Sequence, residues 1–188
     1  MGIKEQMIEI LRSEEARRVR FTFAGSTGPV AVDHTSFARV ATALDAGDIS
    51  VVTGGVRDGW AKYSARAEGT SAANTFYFGR NQRWSRIFNG LVIHECVHAS
   101  FDLSRTTIPW LDNEAAAYIA QAYYLRNSGL ARERLEFGSM PSIAYQYVNG
   151  LRSGNTTDVT FFLQALRDSL ESSPDYHSYI RTTFEGDG

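Results

Sequence analysis

An α+β fold is predicted for this chain of 188 residues, and three observations predict it. Short runs rich in β-branched and aromatic residues are confined to the stretch before Trp84, helical periodicity dominates after it, and no repeat, low-complexity tract or Gly/Ser linker divides the two. With 43% hydrophobic and 12% aromatic residues, the chain is long enough to bury one sizeable core, so a single domain over 1–188 is expected.

The elements follow in chain order. "MGIKEQMIEILRSEEARRVR" reads as a charged amphipathic helix, without the uninterrupted apolar centre of a signal peptide. "RVRFTFAG" and "PVAVDH" are β-rich runs around the turn signal Gly25-Ser26-Thr27-Gly28-Pro29, which predicts a hairpin. "TSFARVATALDAG" has helical spacing from a cap at Thr35 or Ser36 to a stop at Gly47, with His34 an ordinary loop residue before it. "DISVVTGG" reads as a strand, residues 54–73 as loop, and "NTFYFG" as a strand alternating Thr75 and Tyr77 with Phe76 and Phe78. Helices are expected near 84–103, 109–127 and 141–149, and near 157–171, where Val159, Phe162, Leu166 and Leu170 recur behind a cap at Thr156 or Thr157. The fold class is thus a β-sheet part followed by a mainly helical part.

Charge excludes some functions. Nineteen basic and 21 acidic residues leave a net charge of −2 and a pI near 6.1, which gives no basic surface for nucleic acid. No apolar run reaches the roughly eighteen residues that a membrane span needs. Cys96, the only cysteine, cannot pair within the chain. A soluble cytoplasmic protein, or one exported by a leaderless route, is the expectation.

The stretch "LVIHECVHAS", residues 91–100, places two histidines and a glutamate inside an apolar run. At about 100° and about 1.5 Å per residue, His94 and His98 lie roughly 40° apart and about 6 Å along one helix face, so both imidazoles can reach one ion. Glu95 points about 80° to the side, placed to hold a water beside that ion. Cys96 points the other way, onto a core stripe with Phe88, Val92, Ala99 and Leu103. Asp102 stands about 12 Å above His94 and cannot share its ion. Zinc takes three or four side-chain ligands, so a further one must come from another element. The segment "IPWLDNEAAAYIAQAYYLRNSG" predicts a helix between Pro109 and Gly129 with Glu114, Tyr118 and Gln121 in a polar stripe and alanines suited to close packing.

These residues carry a resemblance. "HECVH" is the HExxH motif of zinc metallopeptidases, the zincins, and "NEAAA" is similar to the glutamate helix of the gluzincins, the thermolysin-like group. The resemblance covers roughly residues 91–118. It implies Zn²⁺ as cofactor, His94, His98 and Glu114 as its ligands, and Glu95 as general base. Fifteen residues separate His98 from Glu114, somewhat fewer than in the larger members of the group, and Tyr118 stands where the family places a supporting aspartate. The implied activity is peptide-bond hydrolysis by a zinc-bound water that Glu95 deprotonates, with the proton passed on to the leaving nitrogen.

His177 in "SPDYHSY" lies about as far beyond Glu114 as the family's oxyanion-stabilising histidine, with Tyr176 and Tyr179 beside it; Tyr118 is the other candidate for that role. In such enzymes a strand just before the active helix edges the cleft and pairs with extended substrate, which points to Asn74, Phe76 and Phe78 as substrate-binding. Arg80, Arg83 and Arg86 beyond that strand would favour acidic substrates.

The expected function is therefore a small zinc metallopeptidase acting on a peptide or protein substrate. The alternatives are a non-catalytic zincin-like module, with structural zinc or a partner-binding cleft, and a toxin-like bacterial or phage effector protease with a narrow target. The sequence carries no signal for an inhibitor or immunity protein.

Overall fold

The computed structural model describes residues 2–81 and 84–188; Arg83, named above for substrate charge, lies outside them. The amphipathic N-terminus forms two helices rather than one. Helix α1 (Ile3–Arg12) buries Met7, Ile10 and Leu11, and extended backbone at Ser13 ends it. The Ser13 hydroxyl then accepts from Ala16 N at 3.3 Å and starts the short α2 (Glu14–Arg17). Strands β1 (Phe21–Ala24) and β2 (Pro29–Val32) form the expected antiparallel hairpin. Gly25 N–H donates to Gly28 O at 2.9 Å across its turn, and Gly28 holds a φ of +144°, which L side chains avoid.

Helix α3 (His34–Ala46) begins one or two residues before the expected cap. Asp33 is the cap, because its carboxylate accepts from both Thr35 N, at 2.8 Å, and the Thr35 hydroxyl, at 2.6 Å. His34 is the helix's first residue and is exposed. Strands β3 (Ser50–Thr53), β4 (Ala61–Ser64) and β5 (Thr75–Phe78) make one sheet in the order β3-β5-β4. The central β5 runs parallel to β3 and antiparallel to β4, with Ala61 opposite Phe78 and Ser64 opposite Thr75. β4 lies inside the stretch read as loop. Ala61 and Tyr63 alternate with Lys62 and Ser64, but over four residues only, inside a stretch of Gly, Arg, Ser and Ala without a clear period, and pairing with β5 holds them extended.

Ser85 caps α4 (Arg86–Leu103), accepting from Phe88 N at 3.1 Å, and every residue of α4 from Val92 to Asp102 is buried. Strand β6 (Thr107–Pro109) leads into α5 (Trp110–Asn127). Helices α6 (Met140–Ser153) and α7 (Thr156–Ser172) follow, the second capped by Asn155, whose side chain accepts from Asp158 N, rather than by a threonine. After α7 the chain makes turns over 174–181 and then β7 (Thr183–Glu185), which returns to pair antiparallel with β6.

The molecule is thus mixed α and β, with seven helices and three small sheets among the described residues. None of the described helices is long and apolar enough to cross a membrane.

Two contacts set the position of α5. Its Ala115, Ala116, Ala117, Ala120 and Ala122 are all inaccessible, and Gly90 of α4 lies so close that a Cβ there would stand 2.8 Å from Leu125 Cδ2 of α5. At its start, buried Asp112 accepts from Ser26 N at 2.6 Å and from Arg167 Nη2 at 2.7 Å, and the same Arg167 nitrogen donates to Ala24 O at 2.8 Å. One carboxylate in the first turn of α5 therefore ties the hairpin and α7 to it, at the helix end where the dipole favours negative charge.

Candidate metal centre

Close packing of α4 on α5 brings together the three residues expected to bind metal. His94 and His98 face α5 from successive turns, and their donor atoms and those of Glu114 all lie within 4.8 Å of one another, with all three residues buried. Glu114 Oε2 stands 3.3 Å from His94 Nε2, and Glu114 Oε1 stands 3.8 Å from His98 Nε2. Two atoms bound at about 2.0–2.1 Å to one tetrahedral ion are about 3.3 Å apart, so this spacing fits such an ion. A second observation agrees: Glu114 Oε2 is buried without a hydrogen-bond partner. Buried acceptors are rarely left so, and an ion held by Glu114 Oε2 would remove that deficit. The His-His-Glu group could therefore hold a metal ion.

Neighbouring residues orient this group. His98 Nδ1 lies 2.8 Å from Asn113 Oδ1, so α5 supplies both the Glu114 carboxylate and the carbonyl that fixes the His98 ring. Trp110 packs against the same ring, with centroids 5.9 Å apart, and Tyr118 stands edge-on to His94 at 4.5 Å. Tyr179 donates to Glu114 Oε1 at 3.1 Å. Burial is the largest influence on the Glu114 carboxyl and pushes its pKa up, yet His98, His94 and the Tyr179 hydroxyl together hold it below the ordinary value.

Glu95 behaves oppositely. Its Oε2 accepts from Tyr63 N of β4 at 2.8 Å, which fixes the side chain beside the histidines. Burial pushes its pKa up to about 7, and the Glu114 charge adds to the rise, while His98 and the Tyr63 N–H oppose it. Two buried carboxylates thus share one site with their proton affinities driven apart, the pattern that separates a ligand from a base near neutrality.

The centre opens into a cleft of about 960 Å³. Residues 60–66, including all of β4, line one wall, and Asp175, Tyr176, Tyr179, Phe184 and Glu185 of the C-terminal segment line another. Tyr118 also lines it, and its hydroxyl meets that of Tyr176 at 2.5 Å.

Several expected site residues lie elsewhere. His177 is exposed and does not line the cleft, because 174–181 is a turn segment that aims its neighbours Tyr176 and Tyr179 inward instead. Phe76 and Phe78 are wholly inaccessible in the core, and β5, as the middle strand, has partners on both sides. Asn74 does not line the cleft and has a φ of +48°. In the amide orientation that satisfies its neighbours, it donates to Asp102 Oδ2 at 3.0 Å and to Ala65 O at 3.2 Å. Arg80 and Arg86 are outside the cleft lining. Cys96 is buried in the core, as its helical position requires, and Asp102 is engaged by the Tyr63 hydroxyl at 2.6 Å and by Asp187 N at 3.0 Å.

Comparisons with protein-family models, with curated proteins and with solved structures find no match to this chain.

Proposed function

We propose that the protein is a zinc-dependent metallopeptidase of the HExxH type. The observation that carries the reading is Glu95: a buried carboxylate with a pKa near 7, anchored through one oxygen, beside a His-His-Glu group that opens into a cleft. A metal that only staples a fold needs no such base and is ordinarily closed off by a fourth protein ligand. His94, His98 and Glu114 would hold the ion, and a bound Zn²⁺ would supply a Lewis acid for water and for the scissile carbonyl.

The chain's own groups do the rest. Glu95 Oε2 stays on the Tyr63 N–H, while the carboxylate takes a proton from the attacking water and returns it to the leaving nitrogen. In the Tyr118–Tyr176 pair one hydroxyl donates to the other, leaving the second proton free for the developing oxyanion. Both phenols are buried enough that their pKa values are raised, so both keep their protons. Substrate lies along β4, the outer strand of its sheet and part of the cleft wall, where an extended peptide can add main-chain hydrogen bonds.

Glu95→Gln tests this. It keeps an acceptor for Tyr63 N and removes the base, so cleavage of a peptide library should stop while bound zinc is retained. Undiminished cleavage would refute the proposed role.

A further inference from the structure

The two oxygens of Glu114 have different surroundings, and Tyr179 makes the difference. Oε1 accepts the Tyr179 O–H at 3.1 Å, whereas Oε2 is buried without a hydrogen-bond partner, 3.3 Å from His94 Nε2. The phenol itself is held from several sides. Its ring packs on Trp110 at 4.8 Å and on Tyr176 at 5.8 Å, and Trp110 packs in turn on Phe184 at 4.9 Å. The Tyr179 carbonyl accepts from Thr182 N at 2.8 Å, and Thr182 O accepts from Trp110 N at 3.0 Å, which fastens the turn to the first residue of α5. Glu114 is on the next turn of that helix.

We propose that Tyr179 is a positioning residue for the metal ligand: by engaging Glu114 Oε1, it presents Oε2 to the ion and raises the affinity of the centre for zinc. The terminal torsion of a glutamate is soft and nearly two-fold, so an unrestrained carboxylate exchanges its oxygens readily. A hydrogen bond to one of them removes that freedom before the ion arrives. It also supplies a partner to an acceptor that has none other among the described residues except the more distant His98 nitrogen at 3.8 Å. The C-terminal turn, 65 residues from Glu114 in sequence, is on this account part of the metal centre.

The inference rests on the metal-binding reading, and zinc titration in competition with a chromophoric chelator separates the two. Wild-type protein, Tyr179→Phe, Glu114→Ala and the double variant are compared, with melting of the metal-free proteins as the control on folding. Phenylalanine preserves the ring and its packing on Trp110, so Tyr179→Phe should melt close to wild type. The expected result is a loss of zinc affinity of about 10- to 100-fold for Tyr179→Phe in the wild-type background and less than about 2-fold in the Glu114→Ala background. Equal affinity of wild type and Tyr179→Phe, or an equal loss in both backgrounds, would overturn the proposal. Failure of the wild type itself to take up zinc would instead overturn the metal centre.

Discussion

Replacing Glu95 by glutamine in the metal-free protein removes a charge that the fold buries, and the gain depends on pH. The Glu95 carboxyl moves from an ordinary 4.5 to about 7 on folding, chiefly through burial. A carboxyl whose pKa is raised in the folded state costs nothing below its unfolded value, where both states hold the proton. The cost grows as pH rises between the two values and is constant above the higher one. At about 1.36 kcal/mol per pH unit, that interval corresponds to a cost of about 3 kcal/mol above pH 7. Glutamine is never charged, and its amide oxygen can keep the bond from Tyr63 N–H. Chelator-treated Glu95→Gln should therefore be more stable than wild type by about 3 kcal/mol at pH 8.5 and nearly equal to it at pH 4.5. Urea unfolding followed by tryptophan fluorescence measures both differences. Equal midpoints at pH 8.5, or a variant less stable than wild type there, would refute the argument that burial raises this carboxyl.

Two further outcomes are expected. Arg167→Met takes the cation away from the fully buried Asp112 carboxylate, which keeps the Ser26 N–H, and leaving that charge buried without its partner should lower unfolding free energy by about 3 kcal/mol at pH 7, measured by chemical denaturation. Asn113→Ala removes the carbonyl that orients His98 and should weaken zinc binding about 10- to 100-fold in chelator competition, with helix content unchanged by circular dichroism.

What the sequence made legible depended on whether the controlling interaction is local. His94 and His98 are joined by the geometry of a single helix, and apolar neighbours on both sides marked that helix as buried. The helix of Glu114 could be found because it opens at a proline and carries a polar stripe among alanines, and the resemblance of "NEAAA" to a zinc-binding glutamate helix singled out Glu114 on it. The anchor of Glu95 could not be found, since it is the main-chain N–H of Tyr63, and a backbone amide leaves no mark on residue identity. β4 escaped for a related reason: its strand form is imposed by pairing with β5. The alternation of Thr75, Phe76, Tyr77 and Phe78 suggested one covered and one open face, but a central strand packed on both faces buries all four. At the C-terminus, its distance in sequence beyond Glu114, set against the resemblance, singled out His177; the turns found over 174–181 aim the adjacent tyrosines at the centre instead. Asn113 was the most accessible of the missed residues, being next to Glu114 on a helix already placed against α4.

Metal content by mass spectrometry, on protein prepared without chelators and alongside His98→Ala, tests the central claim most directly. The account predicts about one zinc per chain in the wild type and its loss in the variant. Folded wild-type protein that carries no metal and takes up none when zinc is added would contradict it, leaving His94, His98 and Glu114 as a buried polar cluster.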